Sequence, residues 1–329
     1  MIGSFQGEKE RRLFERMASR SGIDRRYSVL HKDGMVEADS AESGFYRRGA
    51  YPGTAARMRV YEKTAPDLAE RAIGSLDLRG DQDRITHLVV ASCTGFVAPG
   101  IDQILARRLG LRADLQRTVV GFMGCSAAIP ALRIAQAAVL ADPTARVLVV
   151  NVELCTLHLQ ETEDVQTALS FLLFGDGCTA ALVTCDESGI ALGDFLTTVI
   201  PDSEDMITWY VGDHGFVMYL SGKVPSRITQ ALRDDPGGLL RGEGTQSIDL
   251  WAVHGGGRTI LDAVQSGFNL APHALDTSRD VLREFGNMSS ATIMFVLSRM
   301  MASHNGKHGL AMAFGPGMVA ETFRFTKLN

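Results

Sequence analysis

Cysteine is scarce in this sequence, with five in 329 residues, an odd number. Cys93, Cys125, Cys155, Cys178 and Cys185 form no CxxC pair and no metal-ligand spacing with histidine. A disulfide framework and a structural metal site are therefore not expected, and reduced thiols point to the cytoplasm. Charge of one sign is lacking too. A net charge of −5 argues against a polyanion-binding surface, so nucleic acid is not an expected partner. No uninterrupted apolar run reaches the roughly 20 residues that span a bilayer, so no membrane span is expected. The opening MIGSFQGEKERRLFERM is charged within its first ten residues and has no apolar centre, unlike a secretory signal. What remains, 45% apolar and 22% charged residues, is the composition of an ordinary globular enzyme with a large core.

Periodicity organises that core. GEKERRLFERMASR (7–20) reads as an amphipathic helix, 31–60 as surface loop, and 60–74 as a second helix with Pro66 at a bend or at its start. Strands follow at 85–92, RTVVGF and 146–153, separated by helices at 99–111 and SAAIPALRIAQAAVLA. The latter is small and aliphatic almost all round, which predicts sheets on more than one side of it. CTAALVT is a further strand; 190–245 is less regular, with strand-like stretches near 192–200 and 215–220. The second half then repeats the order: a strand at 247–254, helices in GGRTILDAVQSGFN, ALDTSRDVLREFGN and SSATIMFVLSRMMASH, and a closing hairpin from HGLAMAFGPG and MVAETFRF. This order predicts an α/β protein with a duplicated core, divided into residues 1–185 and 186–329.

Three polar residues stand at comparable places, Cys125 in GFMGCSAA, His254 before a run of glycines, and Asn287 after Gly286. Each ends a strand or turn and precedes small residues and a helix, where α/β folds carry their chemistry. Singly, they read as a core cysteine, a structural histidine and a helix cap. Together they form a set with compatible work. A cysteine at a helix N-terminus favours the thiolate and can take an acyl group from a thioester. His254 can pair with it, and His254 and Asn287 can donate to an enolate left by decarboxylation of a malonyl thioester. That chemistry needs no metal and no redox cofactor.

At these residues the sequence resembles the type III polyketide synthases, the chalcone-synthase-like branch of the thiolase superfamily, from about residue 10 to the end. GFMGCSAA resembles their nucleophile segment, WAVHGGGRTIL the histidine segment, FGNMSSAT the asparagine segment, and AFGPGMVAE the loop that shapes the cyclisation cavity. The resemblance implies a thiolase-like fold in α-β-α-β-α layers and a homodimer. It also implies CoA thioesters as substrates, with no further cofactor, and Cys125, His254 and Asn287 as catalytic residues. Arg16 and Arg20, with Arg12 as a weaker neighbour, would hold CoA phosphates. Phe174 would be a gatekeeper between CoA tunnel and cavity, with Ser289, Phe314, Gly315, Pro316 and Gly317 on the cavity wall.

Several positions depart from the plant pattern. Met218 stands for a second gatekeeping phenylalanine, Trp209 for a glycine, and His158 and Cys93 for threonines that shape the cavity. Ala98 stands for a methionine that crosses the dimer interface. ELCTLHLQ is closer to bacterial members than to plant ones, and the family's opening strand has no counterpart ahead of the first helix. Trp209 takes cavity space and Met218 is flexible. A resorcinol, pyrone or phloroglucinol-type product from a fatty or small acyl starter is expected. Three other readings stay open: a β-ketoacyl carrier-protein synthase III-like single condensation, a cysteine-dependent acyltransferase or thioesterase, and a non-catalytic partner protein.

Overall fold

The computed structural model describes residues 7–30, 44–47, 49–76, 78, 80–234, 236–240, 242–303 and 306–328. Residues 31–43 of the stretch read as loop lie outside the described residues. Helix α1 spans Glu8–Ser19, and α2 spans Thr54–Gly74, starting earlier than its sequence suggests. Pro66 lies inside α2, buried with Ala65 and Ala69 against the sheet. The missing N–H costs one helical bond, and packing of that face offsets it.

The first half carries β1 (His87–Ser92), α3 (Ile101–Arg108), β2 (Gln116–Gly121), α4 (Ala128–Ala141), β3 (Val147–Leu154), α5 (Val165–Leu173) and β4 (Asp176–Val183). Its sheet has the order β2-β1-β3-β4, with β1 parallel to β2 and β3, and β4 antiparallel to β3. The second half carries β5 (Ile190–Val199), β6 (Ile207–Gly212), β7 (Gly215–Leu220), α6 (Val224–Asp234), α7 (Pro236–Leu240), β8 (Leu250–Val253), α8 (Arg258–Gly267), α9 (Asp276–Phe285), α10 (Ala291–Ala302), β9 (His308–Gly315) and β10 (Val319–Lys327). Its sheet has the order β5-β10-β9-β8. β8 runs parallel to β9 and β10 antiparallel to it, as β1, β3 and β4 do in the first half. The duplication is therefore present in strand direction as well as in element order.

Alternation along the strands builds the layers. In β3, Val147 and Val149 face one core while Leu148, Val150 and Val152 face another. A strand buried on both faces is apolar except where a buried polar side chain finds partners, which is why VLVV shows no polar alternation. The central core joins both sheets through α4 and α10, whose Ala128, Ala131, Ala135 and Ala291 let helices and strands approach closely. Outside the first sheet lie α2 and α3; outside the second lie α6, α8 and α9. The result is α-β-α-β-α.

Helix α4 meets strands of both sheets, as its composition predicts, but only along one side: Ile134 and Leu140 are exposed. The stretch Gly124–Ala141 is long and apolar enough to cross a membrane by composition, yet here it is the central core helix. The region 190–245 is more ordered than its sequence suggests. It contains β6, which pairs with β7 in a two-stranded sheet separate from both core sheets.

Candidate active site

Cys125 stands in a single 3-10 turn, Gly124–Ser126, between β2 and α4. Glycine is needed on two sides of it. Gly124 has φ 61, and a Cβ there would strike Pro316; a Cβ on Gly315 would strike the Ser126 hydroxyl. The Cys125 turn and the FGPG loop thus pack closely against each other, which explains why both segments are glycine-rich.

His254 follows β8 directly and extends its ladder, its N–H donating to the Met312 carbonyl at 2.8 Å. Asn287 follows the end of α9 rather than a strand. Its main chain is pinned by bonds from its N–H to the Leu173 carbonyl (2.7 Å) and from the Gly175 N–H to its carbonyl (2.9 Å). Its side chain is oriented as well. Oδ1 accepts from the Ser289 N–H at 2.8 Å and Nδ2 donates to the Gly256 carbonyl at 3.3 Å. The amide is therefore held in one orientation, with Nδ2 as its donor side.

The structure brings the three side chains to one cavity of about 880 Å³, open solvent at its mouth included. Cys125 Sγ lies 3.9 Å from the Asn287 amide. His254 is buried at 2% exposure and neither of its ring nitrogens has a partner. The expected cysteine–histidine hydrogen bond is thus not formed in this structure. Burial pushes the Cys125 thiol up to about 11, outweighing bonds from Ser289, Asn287 and its own N–H that favour the thiolate. Burial also holds His254 down to about 4. Both shifts run toward the neutral thiol and the neutral imidazole.

A second buried group ties the site together. Glu153, at the end of β3, accepts from the Cys93 N–H (3.0 Å), the Thr94 hydroxyl (2.8 Å) and the Ser290 hydroxyl (2.5 Å). It joins the ends of β1 and β3 to the start of α10, so it links the two halves beside Cys125. Burial raises its carboxyl to about 7 against those three bonds.

Of the residues read from the sequence as cavity wall, Cys93, Phe174, Trp209, Met218, Ser289, Phe314, Gly315 and Pro316 line the cavity. His158 does not: it is fully buried behind the wall. Gly317 lies beyond the wall, in the turn between β9 and β10 with φ 71. Trp209 and Met218 are directly paired across β6 and β7, as are Ile207 and Leu220, so one face of the hairpin supplies all of them. Ile207 and Leu220 escaped the sequence reading, although their alternation with Trp209 and Met218 is the signal that would have found them.

From the cavity a groove leads outward past Leu220, Val224 and Gly256 to Arg20 and Arg258. Arg20 lines it; Arg12 instead pairs with Glu8 at 2.5 Å on the exposed side of α1, and Arg16 is not among the lining residues. Arg258, which opens α8 after the glycine run, was missed in the sequence, where it looks like one basic residue among many. Among the described residues no cluster of three or more His, Cys, Asp or Glu is placed to hold a metal.

Comparison with known proteins agrees with this architecture. The pattern of the N-terminal domain of chalcone and stilbene synthases matches residues 5–187, and that of their C-terminal domain matches residues 193–328. The alpha-pyrone synthesis polyketide synthase-like Pks18 of Mycobacterium tuberculosis is 34% identical over 286 residues, 82% of this chain and 72% of that protein. Bisdemethoxycurcumin synthase of Oryza sativa is 34% identical over 331 residues, 94% of this chain and 81% of that protein. The crystal structure of PKS-I from the brown alga Ectocarpus siliculosus superposes with a TM-score of 0.87 at 32% identity, covering 98% of this chain and 90% of that one. With a bacterium, a plant and an alga alike, the chain belongs to the chalcone and stilbene synthase family, the type III polyketide synthases of the thiolase superfamily.

Proposed function

We propose that the protein loads an acyl-CoA starter on Cys125 and extends it by repeated decarboxylative condensation with malonyl-CoA. It then cyclises the chain to a resorcinol, pyrone or phloroglucinol-type product. The observation that carries this reading is the meeting of Cys125, His254 and Asn287 in one cavity reached by an arginine-flanked groove.

Cys125 is the nucleophile. As its sulfur attacks the starter thioester, a free nitrogen of His254 takes the thiol proton. The new carbon–sulfur bond forms, the bond to CoA breaks, and CoA leaves with that proton. A neutral pair costs less to keep buried than a charged one, and charge separates only when substrate arrives. Malonyl-CoA then loses CO₂, and the electron pair of the broken bond becomes an enolate. His254 and the Asn287 amide donate to the enolate oxygen. The enolate carbon attacks the acyl carbonyl, the carbon–carbon bond forms, and the Cys125 sulfur leaves as the thiolate, which takes a proton from water to restore the thiol. The lengthened chain, now on CoA, returns to Cys125 for the next round. Arg20 and Arg258 suit the CoA phosphates, since guanidinium forks match phosphate oxygens.

The chain is also proposed to be a cytoplasmic homodimer, of the bacterial kind by its ELCTLHLQ block, with its halves dividing near residue 185. β2 is an edge strand of its sheet, and Val119 on it is 56% exposed. An edge strand of this kind is suited to antiparallel pairing with a second copy about a two-fold axis. All five cysteines are free, which suits a reducing compartment. Sedimentation tests the dimer, and Val119→Glu is expected to release monomers.

The test of the reaction is mass spectrometry of products from acyl-CoA starters and malonyl-CoA without carrier protein. Multiply extended products are expected, with an acyl adduct on Cys125. A single extension that requires carrier protein would move the chain to the synthase III reading. Release of the free acid alone would make it a thioesterase.

A further inference from the structure

The wall made by β6 and β7 belongs to neither core sheet, so no strand ladder fixes its distance from Cys125. What holds it is a small set of side-chain bonds, and His158 makes the central ones. His158 Nδ1 accepts from the Phe216 N–H at 2.9 Å, at the start of β7. Its Nε2 bonds the Thr94 carbonyl at 2.7 Å, in the turn after β1. A main-chain N–H can only donate and a carbonyl can only accept, so a single neutral tautomer, protonated on Nε2, satisfies both. The imidazole also stacks on Phe216, with ring centroids 4.2 Å apart at 12°, and meets the Trp209 indole edge-on at 5.7 Å. Trp209 in turn donates its Nε1–H to the Cys93 carbonyl at 2.9 Å. Two successive carbonyls, of Cys93 and Thr94, thus anchor Trp209 and, through His158, the start of β7, and Glu153 holds the backbone that carries them.

Resting on the polyketide reading above, we infer that His158 is a specificity-determining positioning residue: it touches no substrate but clamps the β6–β7 hairpin and Trp209 against the Cys93–Thr94 turn, and so sets how long a chain the cavity admits. Burial holds its imidazole down to about 4, so the clamp stays neutral and unbroken throughout the working range. The hairpin has other attachments, from Thr54 to the turn at residues 212–215 and from Gln160 to the His214 carbonyl at 2.9 Å and the Phe216 carbonyl at 3.4 Å. Ile207, Met206, Met218 and Leu220 pack into the core beneath its open end. The Trp209 ring itself is set by His158 and by the indole's own bond.

The test separates bonding from volume. His158→Leu fills much of the space but makes neither bond. His158→Asn can still accept from the Phe216 N–H, while His158→Gln reaches toward the Thr94 carbonyl instead. Products from a fixed acyl-CoA starter and malonyl-CoA are measured per acylated subunit. For His158→Leu the largest product is expected to gain at least one malonyl-derived unit, and for His158→Asn the profile is expected to return toward that of the parent protein. An unchanged profile in His158→Leu, or no return in His158→Asn, overturns the inference. Should His158→Leu fail to fold, His158→Gln replaces it, with the shift expected in Gln and not in Asn. Failure of the underlying reading looks different, because the parent protein would then yield no multiply extended product at all.

Discussion

The floor and the wall of this cavity are built in opposite ways. The floor is backbone: Cys125, His254 and Asn287 each sit where a core element ends, held by main-chain bonds and by close glycine contacts across the two halves. The wall is side chain: a two-stranded hairpin outside both sheets, pinned by an imidazole, an indole and a hydroxyl. Interiors packed on shared sheets tolerate little displacement, whereas a hairpin on a few bonds can be moved by a few substitutions. The contrast implies that the bond-forming chemistry is hard to alter without destroying it, and that product size is easy to alter.

Breaking the floor has the largest expected effect. Cys125→Ala is expected to abolish both the acyl adduct and the product, read by intact-protein mass and product analysis. Full product from that variant would remove the nucleophile assignment. His254→Gln and Asn287→Ala are each expected to slow malonyl-CoA decarboxylation by about a hundredfold or more, the effect of losing one donor to a developing oxyanion. The neutral resting pair is testable as well. Because the thiol lies near 11 and the imidazole near 4, alkylation of Cys125 by iodoacetamide is expected to keep rising with pH well above neutrality. A plateau beginning near pH 6 would instead reveal a thiolate–imidazolium pair.

Glu153 belongs to the floor but acts through its neighbours. Removing it in Glu153→Ala leaves the Thr94 and Ser290 hydroxyls and the Cys93 N–H without their acceptor, at a cost of about 3 kcal/mol in urea unfolding. Its pH dependence has a definite sign. The folded carboxyl is raised to about 7 from an ordinary 4.5, so the folded state favours the protonated form. The resulting stability is complete below about pH 4.5 and is lost as pH rises through about 7. Glu153→Gln cannot ionise, and its stability is expected to stay flatter across that window. Equal slopes for the two proteins would mean that the carboxyl is ionised from low pH.

The same contrast explains how far the sequence could be read. The floor was legible because backbone geometry leaves a mark in residue type: Gly124 at positive φ and Gly315 against Ser126 can be nothing larger. The layered fold was legible because strands buried on both faces, such as β3, show unbroken apolar runs. Helix α2 was misjudged at its start because Arg57, fully buried, interrupts its apolar face by bonding carbonyls at Pro52, Leu157 and Leu159. Residues of the wall were legible, Trp209 and Met218 among them, but its restraints were not, because they join residues far apart in the chain to main-chain atoms, which carry no residue identity. His158 looks like a cavity residue in the sequence and becomes a clamp only once Phe216 and Thr94 are seen on either side of it.

The smallest expected effect lies at the mouth, which is neither floor nor wall. Arg20 and Arg258 flank the groove, and Arg258 is more than half exposed and 3.7 Å from Asp262. An exposed guanidinium binding a phosphate contributes modestly, because water and salt screen it. Arg258→Ala is therefore expected to raise KM for malonyl-CoA about tenfold, or about 1.4 kcal/mol, with kcat nearly unchanged. Adding salt should reduce the difference between the variant and the parent protein. A fall in kcat at constant KM would sharpen the comparison differently, by showing that Arg258 supports the His254 loop from behind rather than the CoA in front of it.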